Sequence, residues 1–118
     1  MNNTIPKNIL QIAFDSVSAI KHAGVTIDAA YIFGSHAKGN ANKYSDIDLC
    51  IISSQFGYDR QSDRVKLMRM TDVVDLSVEP HPLSNTEFAN QWDPFVKEIK
   101  TTGIRIDKNI SSPFASRV

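Results

Sequence analysis

The sequence predicts an α/β domain, a small mixed sheet of about four strands flanked by helices. Three observations carry this prediction. Two short apolar segments rich in β-branched residues, 29–33 and 47–53, read as strands. Segments 5–23 and 63–71 place apolar residues at helical spacing. At 118 residues the chain has the size of one domain with a modest core. We expect the domain to span 1–107 and a tail without periodicity, containing Ser111-Ser112-Pro113, to span 108–118.

In chain order, Leu10, Ala13, Phe14, Val17 and Ile20 give the first helix one apolar face. Thr4 is its expected N-cap, Pro6 suits its first turn, and Gly24 suits its left-handed end. Strand one, 29–33, ends at Gly34-Ser35, and the loop to Lys43 is small and polar. Strand two is 47–53. After a connector containing Gly57, 63–71 is read as a helix whose methionines fill the core. Its segment holds Arg60, Arg64, Lys66 and Arg69, the one locally basic stretch, which reads as a solvated face or as a patch for phosphates or an acidic partner.

Strand three is expected at 73–78, ended by Pro80-His81-Pro82 because proline cannot continue a ladder. Ser84 and Glu87 have capping-box spacing. Asp93-Pro94 reads as an N-cap followed by a first-turn proline, with Phe95, Val96 and Ile99 inward and Gly103 ending the helix. Trp92 reads as core or as part of a partner seam. A short edge strand at 104–106 completes the sheet.

Composition excludes several classes. Thirteen basic and thirteen acidic residues sum to zero net charge, with no long basic block, so an extensive nucleic-acid surface is not expected. A single cysteine, Cys50, permits no internal disulfide and reads as a buried inert thiol. No apolar run approaches membrane-spanning length and no signal-peptide core opens the chain, so the cytoplasm is the expected compartment.

The chemistry concentrates in 31–53. Asp46 and Asp48 are two apart at the start of a strand, so they share a face at about 6.5–7 Å spacing. Two carboxylates crowded on a buried element repel, and at least one is expected to resist ionising. A divalent cation removes that conflict, and hard oxygen ligands suit Mg²⁺. Gly34 lets backbone approach a ligand, and Ser35 opening a short helix would offer free N–H groups to an anion. His36 and Lys38, or less directly Lys43, could add positive charge. A phosphate cradle facing paired carboxylates is the layout of metal-assisted phosphoryl or nucleotidyl transfer. Such sites use a third carboxylate from a neighbouring strand. Asp72, Asp75 and Glu79 are the candidates; Glu79 shares Asp75's parity about 13 Å further along.

Gly34-Ser35, ten residues, then Asp46-Ile47-Asp48 resembles the signature of the DNA polymerase β-like nucleotidyltransferase superfamily. Phe33, Ala37, Gly39, Ser45 and Leu49 extend the likeness to the minimal nucleotidyltransferase (MNT) proteins, and Asp75-Leu76, Pro94 to Ile99 and Gly103-Ile104 continue it. The resemblance implies the polymerase β-like fold and two Mg²⁺ ions bound by Asp46, Asp48 and Asp75, the last of which it favours over Glu79. It implies ATP phosphates held by Gly34 and Ser35, with Lys38 near them, and AMP transferred to a hydroxyl. Many small members are antitoxins that modify a tyrosine of a helical HEPN toxin. The expected function is therefore a protein adenylyltransferase antitoxin. The alternatives are a small-molecule nucleotidyltransferase of the aminoglycoside type and a non-catalytic antitoxin that blocks its partner by contact.

Overall fold

The computed structural model describes residues 5–107. The expected Thr4 cap and the 108–118 tail lie outside these residues. Helix α1 (Lys7–His22) leads into strand β1 (Ala29–Phe33), the short α2 (Ser35–Lys38) and strand β2 (Ile47–Ile52). Helix α3 (Arg60–Asp72) crosses to strand β3 (Val78–Leu83), followed by α4 (Asn85–Phe88), α5 (Pro94–Thr102) and strand β4 (Ile104–Arg105). The four strands form one mixed sheet, as the sequence predicts, in the order β3-β2-β1-β4 that the structure shows. β1 runs antiparallel to β2 and to β4, whereas β2 and β3 are parallel. A parallel pair needs a long crossover, and α3 supplies it.

Alternation along the strands divides the core. Ala30, Ile32, Ile47, Leu49 and Ile51 face one side, where Ala13, Val17 and Ile20 of α1 and Leu67 of α3 cover them. Ala29, Phe33, Cys50, Ile52 and Leu83 face the other, covered by Val96 and Ile99 of α5. Cys50 is fully buried, and burial pushes its thiol up to about 12. Asp48 belongs to this second face by parity and breaks its apolar run.

Local signals place most element ends. Asp93 accepts from Phe95 N at 2.9 Å, and Ser84 and Glu87 form the expected capping box. Asp59, not a residue at position 62 or 63, caps α3 by accepting from Ser62 N at 3.1 Å, so the helix begins a turn earlier than its apolar spacing suggests. α1 begins after Pro6 itself, which occupies the cap position. Met70 packs on the core as expected, but Met68 is 41% exposed. Trp92 is 83% exposed and does not belong to the core.

The largest departure from expectation is β3. It lies at 78–83 and runs through both prolines instead of ending at them. The carbonyls of Ser77 and Leu83 accept from Ile47 N and Ser53 N, so odd-numbered residues of this segment hold the ladder to β2. Pro80 and Pro82 fall on the alternate positions, whose backbone faces away from β2. Because β3 is an edge strand, nothing on that side needs the missing N–H. The segment 73–77 is instead a turn between α3 and β3.

Candidate active site

The site follows from two registers. Antiparallel pairing sets Phe33, the last residue of β1, opposite Asp48, so Gly34 emerges beside that carboxylate. Parallel pairing sets Glu79 opposite Asp48 and His81 opposite Cys50. Asp48, Glu79 and His81 therefore project from one face at the shared N-terminal end of β2 and β3. One ligand atom from each lies within 4.8 Å of the others. His81 Nε2 is 3.7 Å from Asp48 Oδ1 and 3.6 Å from Glu79 Oε1.

Gly34 has φ +73° and ψ −150°, a combination nearly restricted to glycine. A Cβ there would come within 2.2 Å of Asp48 Oδ2. Glycine is thus required twice, for the backbone conformation and for the approach to the carboxylate. The turn opens α2, whose first N–H groups have no carbonyl behind them within the helix. His36, on α2, is 8% exposed and its Nε2 has no hydrogen-bond partner among the described residues.

The rings around His81 fix its orientation. Phe33 packs edge-on at 5.0 Å between centroids, and Phe95 of α5 lies at 5.7 Å. His81 Nε2 is buried, faces the two carboxylates and has no hydrogen-bond partner among the described residues. Burial pushes the Asp48 carboxyl up, but the close approach of the His81 and Glu79 side chains and the charges of His81 and His36 outweigh it and hold it below the ordinary carboxylate range. The expected resistance to ionising is thus reversed at Asp48, because imidazoles and not only a second carboxylate surround it.

The remaining candidates are placed less centrally. Asp46 is exposed and precedes the ladder, and its carboxylate is not part of the converging group. It lines a small cleft of about 140 Å³ with Glu79, Ser77 and Arg64. Arg64 itself reaches Glu79 Oε2 at 3.7 Å, so one residue of the basic stretch borders the site. Asp75 lies in the turn before β3, not on a strand. Its carboxylate accepts from Ser77 N at 2.8 Å and Ser77 Oγ at 2.6 Å, bonds that hold it below its ordinary range. The carboxylate that stands opposite Asp48 across the sheet is Glu79; the resemblance favoured Asp75 with the strand expected at 73–78, whereas it lies at 78–83. Lys38 is half exposed and ion-paired with Glu98 of α5 at 3.2 Å.

Sequence reasoning did not single out His81, which the structure brings beside Asp48 and Glu79. The signal was the alternation of Pro80 and Pro82 around it, which leaves His81 at a position that can pair with β2.

A larger cleft, about 400 Å³, lies at the opposite end of β2 and β3 between Phe56, Tyr58, Ser84 and Thr86. Its one carboxylate, Glu87, is committed to capping Ser84 and to Arg60, so the converging group, not the larger space, marks the chemistry.

The model of the nucleotidyltransferase domain family matches residues 17–106. The chain belongs to the nucleotidyltransferase domain family. Its solved structural neighbours agree with this fold. A Sulfolobus solfataricus protein described as a candidate nucleotidyltransferase aligns with TM-score 0.60 at 22% identity, covering 83% of this chain and 78% of that one. A mutant form of the MntA-HpeT toxin-antitoxin aligns with TM-score 0.55 at 15% identity, covering 79% and 70%. A toxin-antitoxin structure with AMP-PNP aligns with TM-score 0.52 at 16% identity, over the same shares. No curated protein matches the chain. The Gly34-Ser35 turn and the Asp46-Ile47-Asp48 segment of this nucleotidyltransferase domain fall at the junction of β1, α2 and β2. Among the described residues no helix is long and apolar enough to cross a membrane.

Proposed function

We propose that this nucleotidyltransferase domain transfers AMP from ATP to a hydroxyl, and that the acceptor is a tyrosine of a HEPN-type toxin, making the chain a protein adenylyltransferase antitoxin of the cytoplasm. The observation that carries the reading is the convergence of Asp48, Glu79 and His81 beside the Gly34-Ser35 turn. The fit to a cation is chemical: two carboxylates and a buried imidazole nitrogen without a hydrogen-bond partner among the described residues face one another, with Arg64 approaching only the outer oxygen of Glu79. Similarity to toxin-antitoxin structures, one of them described with an ATP analogue, supports the partner and the nucleotide.

In this reading Asp46, Asp48 and Glu79 would hold two divalent cations. Backbone N–H groups at Gly34 and Ser35 bind the β- and γ-phosphates. Lys38 stands near this turn and contributes charge once released from Glu98. Glu79 accepts the proton of the acceptor hydroxyl, whose oxygen attacks the α-phosphorus in line. The bond from that phosphorus to the bridging oxygen breaks, and pyrophosphate leaves. When bound, the metal ions supply stabilisation of charge on the entering and leaving oxygens.

The test is to mix the full chain with α-labelled ATP, Mg²⁺ and the protein encoded beside it. Label on a tyrosine of that protein is the expected result, lost with Asp48→Asn. Label on a small hydroxyl compound would replace the partner by a small-molecule acceptor. Tight binding that survives Asp48→Asn, with no label on any acceptor, would show blocking by contact and overturn the reading.

A further inference from the structure

We propose that His81 is a metal ligand, so that the cation position between β2 and β3 is a mixed nitrogen-and-oxygen site that selects Mn²⁺ over Mg²⁺. This rests on the reading that Asp48 and Glu79 hold a cation, and it adds a donor that an all-carboxylate site lacks.

Four features of the geometry carry it. The first is symmetry: His81 Nε2 stands 3.7 Å from Asp48 Oδ1 and 3.6 Å from Glu79 Oε1. These separations are too long for hydrogen bonds. Neighbouring ligands about 2.1 Å from an octahedral ion lie about 3.0 Å apart, so an approach of about 0.6–0.7 Å would let these donors share one ion. The second is the state of the nitrogen, which is buried without a hydrogen-bond partner among the described residues. An unmade bond at a buried polar atom is costly and calls for an occupant.

The third is rigidity. Phe33 and Phe95 hold the ring by its edges, and residues 80 and 82 restrict the backbone on either side as prolines. The ring is therefore set in place before a ligand arrives, as a metal-binding histidine needs to be. The fourth is register. His81 is two residues beyond Glu79 on the same face of β3, so the strand that provides one oxygen also provides the nitrogen.

The donor set decides the ion. Mg²⁺ demands oxygen ligands in near-ideal octahedral array and parts with water reluctantly. A nitrogen donor shifts affinity toward first-row transition ions, in the order Mn²⁺, Co²⁺, Zn²⁺ of rising strength. Mn²⁺ is the member that also suits carboxylates and phosphates. A cation there also ends the imidazole's isolation and the crowding of Asp48 and Glu79 together.

The experiment uses the full chain with Mn²⁺ alone, read by electron paramagnetic resonance and electron spin-echo modulation, with Mg²⁺ as competitor. We expect bound Mn²⁺ to show ¹⁴N modulation from imidazole and to be displaced only by a large excess of Mg²⁺. In His81→Gln the modulation disappears and Mn²⁺ affinity falls at least about tenfold. Bound Mn²⁺ without ¹⁴N modulation in the unaltered chain would overturn the proposal, and this measurement needs no variant to fold. Modulation that persists in His81→Gln would also overturn it, by assigning the nitrogen elsewhere. Loss of Mn²⁺ binding in Asp48→Asn together with absent modulation leaves the carboxylate site standing and removes His81 alone. Mn²⁺ binding indifferent to both Asp48→Asn and Glu79→Gln removes the carboxylate site as well.

Discussion

Asp75 and Glu79 have the same parity and charge, and their surroundings separate them. Asp75 is engaged by two bonds from Ser77, which hold the turn before β3. Glu79 stands opposite Asp48 and beside His81. We therefore predict that Glu79→Gln lowers nucleotidyl transfer at least about 10²-fold, in line with the loss of a group acting on the reacting proton. Asp75→Ala should lower stability but leave the rate of the folded protein within a few-fold. Rates per folded molecule for the two variants, with the folded fraction from circular dichroism, check this; the reverse pattern would return Asp75 to the site. Gly34 gives a second prediction. Gly34→Ala places a Cβ against Asp48 Oδ2 in a conformation that alanine resists. The expected result is a loss of about 1–3 kcal/mol in urea unfolding, together with loss of transfer, because the Asp48 carboxylate must move to make room.

The elements show how edges are managed. β3 tolerates two prolines because its outer positions have no strand to pair with. β4, only two residues long, is secured from its far end. Asp107 Oδ1 accepts from Ala30 N at 2.9 Å and from Arg105 Nε at 2.8 Å, tying the chain after β4 to β1. Burial pushes the Asp107 carboxyl up, but Arg105 and the Ala30 N–H outweigh it and hold the group below its ordinary range. A carboxyl lowered in the folded state stabilises the fold above its unfolded pKa, about 3.9, and loses that contribution as pH falls through its folded value. Asp107→Ala should therefore cost about 1 kcal/mol near pH 7, a figure discounted because Arg105 is partly exposed. The difference from the unaltered chain should shrink as pH falls below about 4. Chemical unfolding across that range is the measurement, and a difference independent of pH would show that Asp107 acts by packing alone.

At the scale of the whole molecule, the site joins three consecutive parts of the chain at one rim of the sheet. The turn after β1, the start of β2 and the start of β3 meet there, and a cation held by Asp48 and Glu79 would link the edge strand to its neighbour. Binding to the folded state alone adds stability by mass action, about 2.7 kcal/mol at a hundred times the dissociation constant. A divalent cation should thus raise the melting temperature of the unaltered chain and leave Asp48→Asn and Glu79→Gln unmoved. A rise of equal size in all three would place the ion elsewhere. The same rim is bordered by Arg64 and by exposed Leu76 and Met68.

The sequence by itself determined what depends on neighbours along the chain. Alternation marked β1 and β2, side-chain caps marked α4 and α5, and the Gly34-Ser35 and Asp46-Ile47-Asp48 segments marked the family, since each is written in a few consecutive residues. Only the tertiary structure decided which carboxylate stands opposite Asp48 and that His81 joins it. That choice depends on the register between β2 and β3, strands separated by the whole of α3, and on β3 lying at an edge where proline is harmless. Register across a sheet is fixed by packing on both faces at once, and no local spacing encodes it.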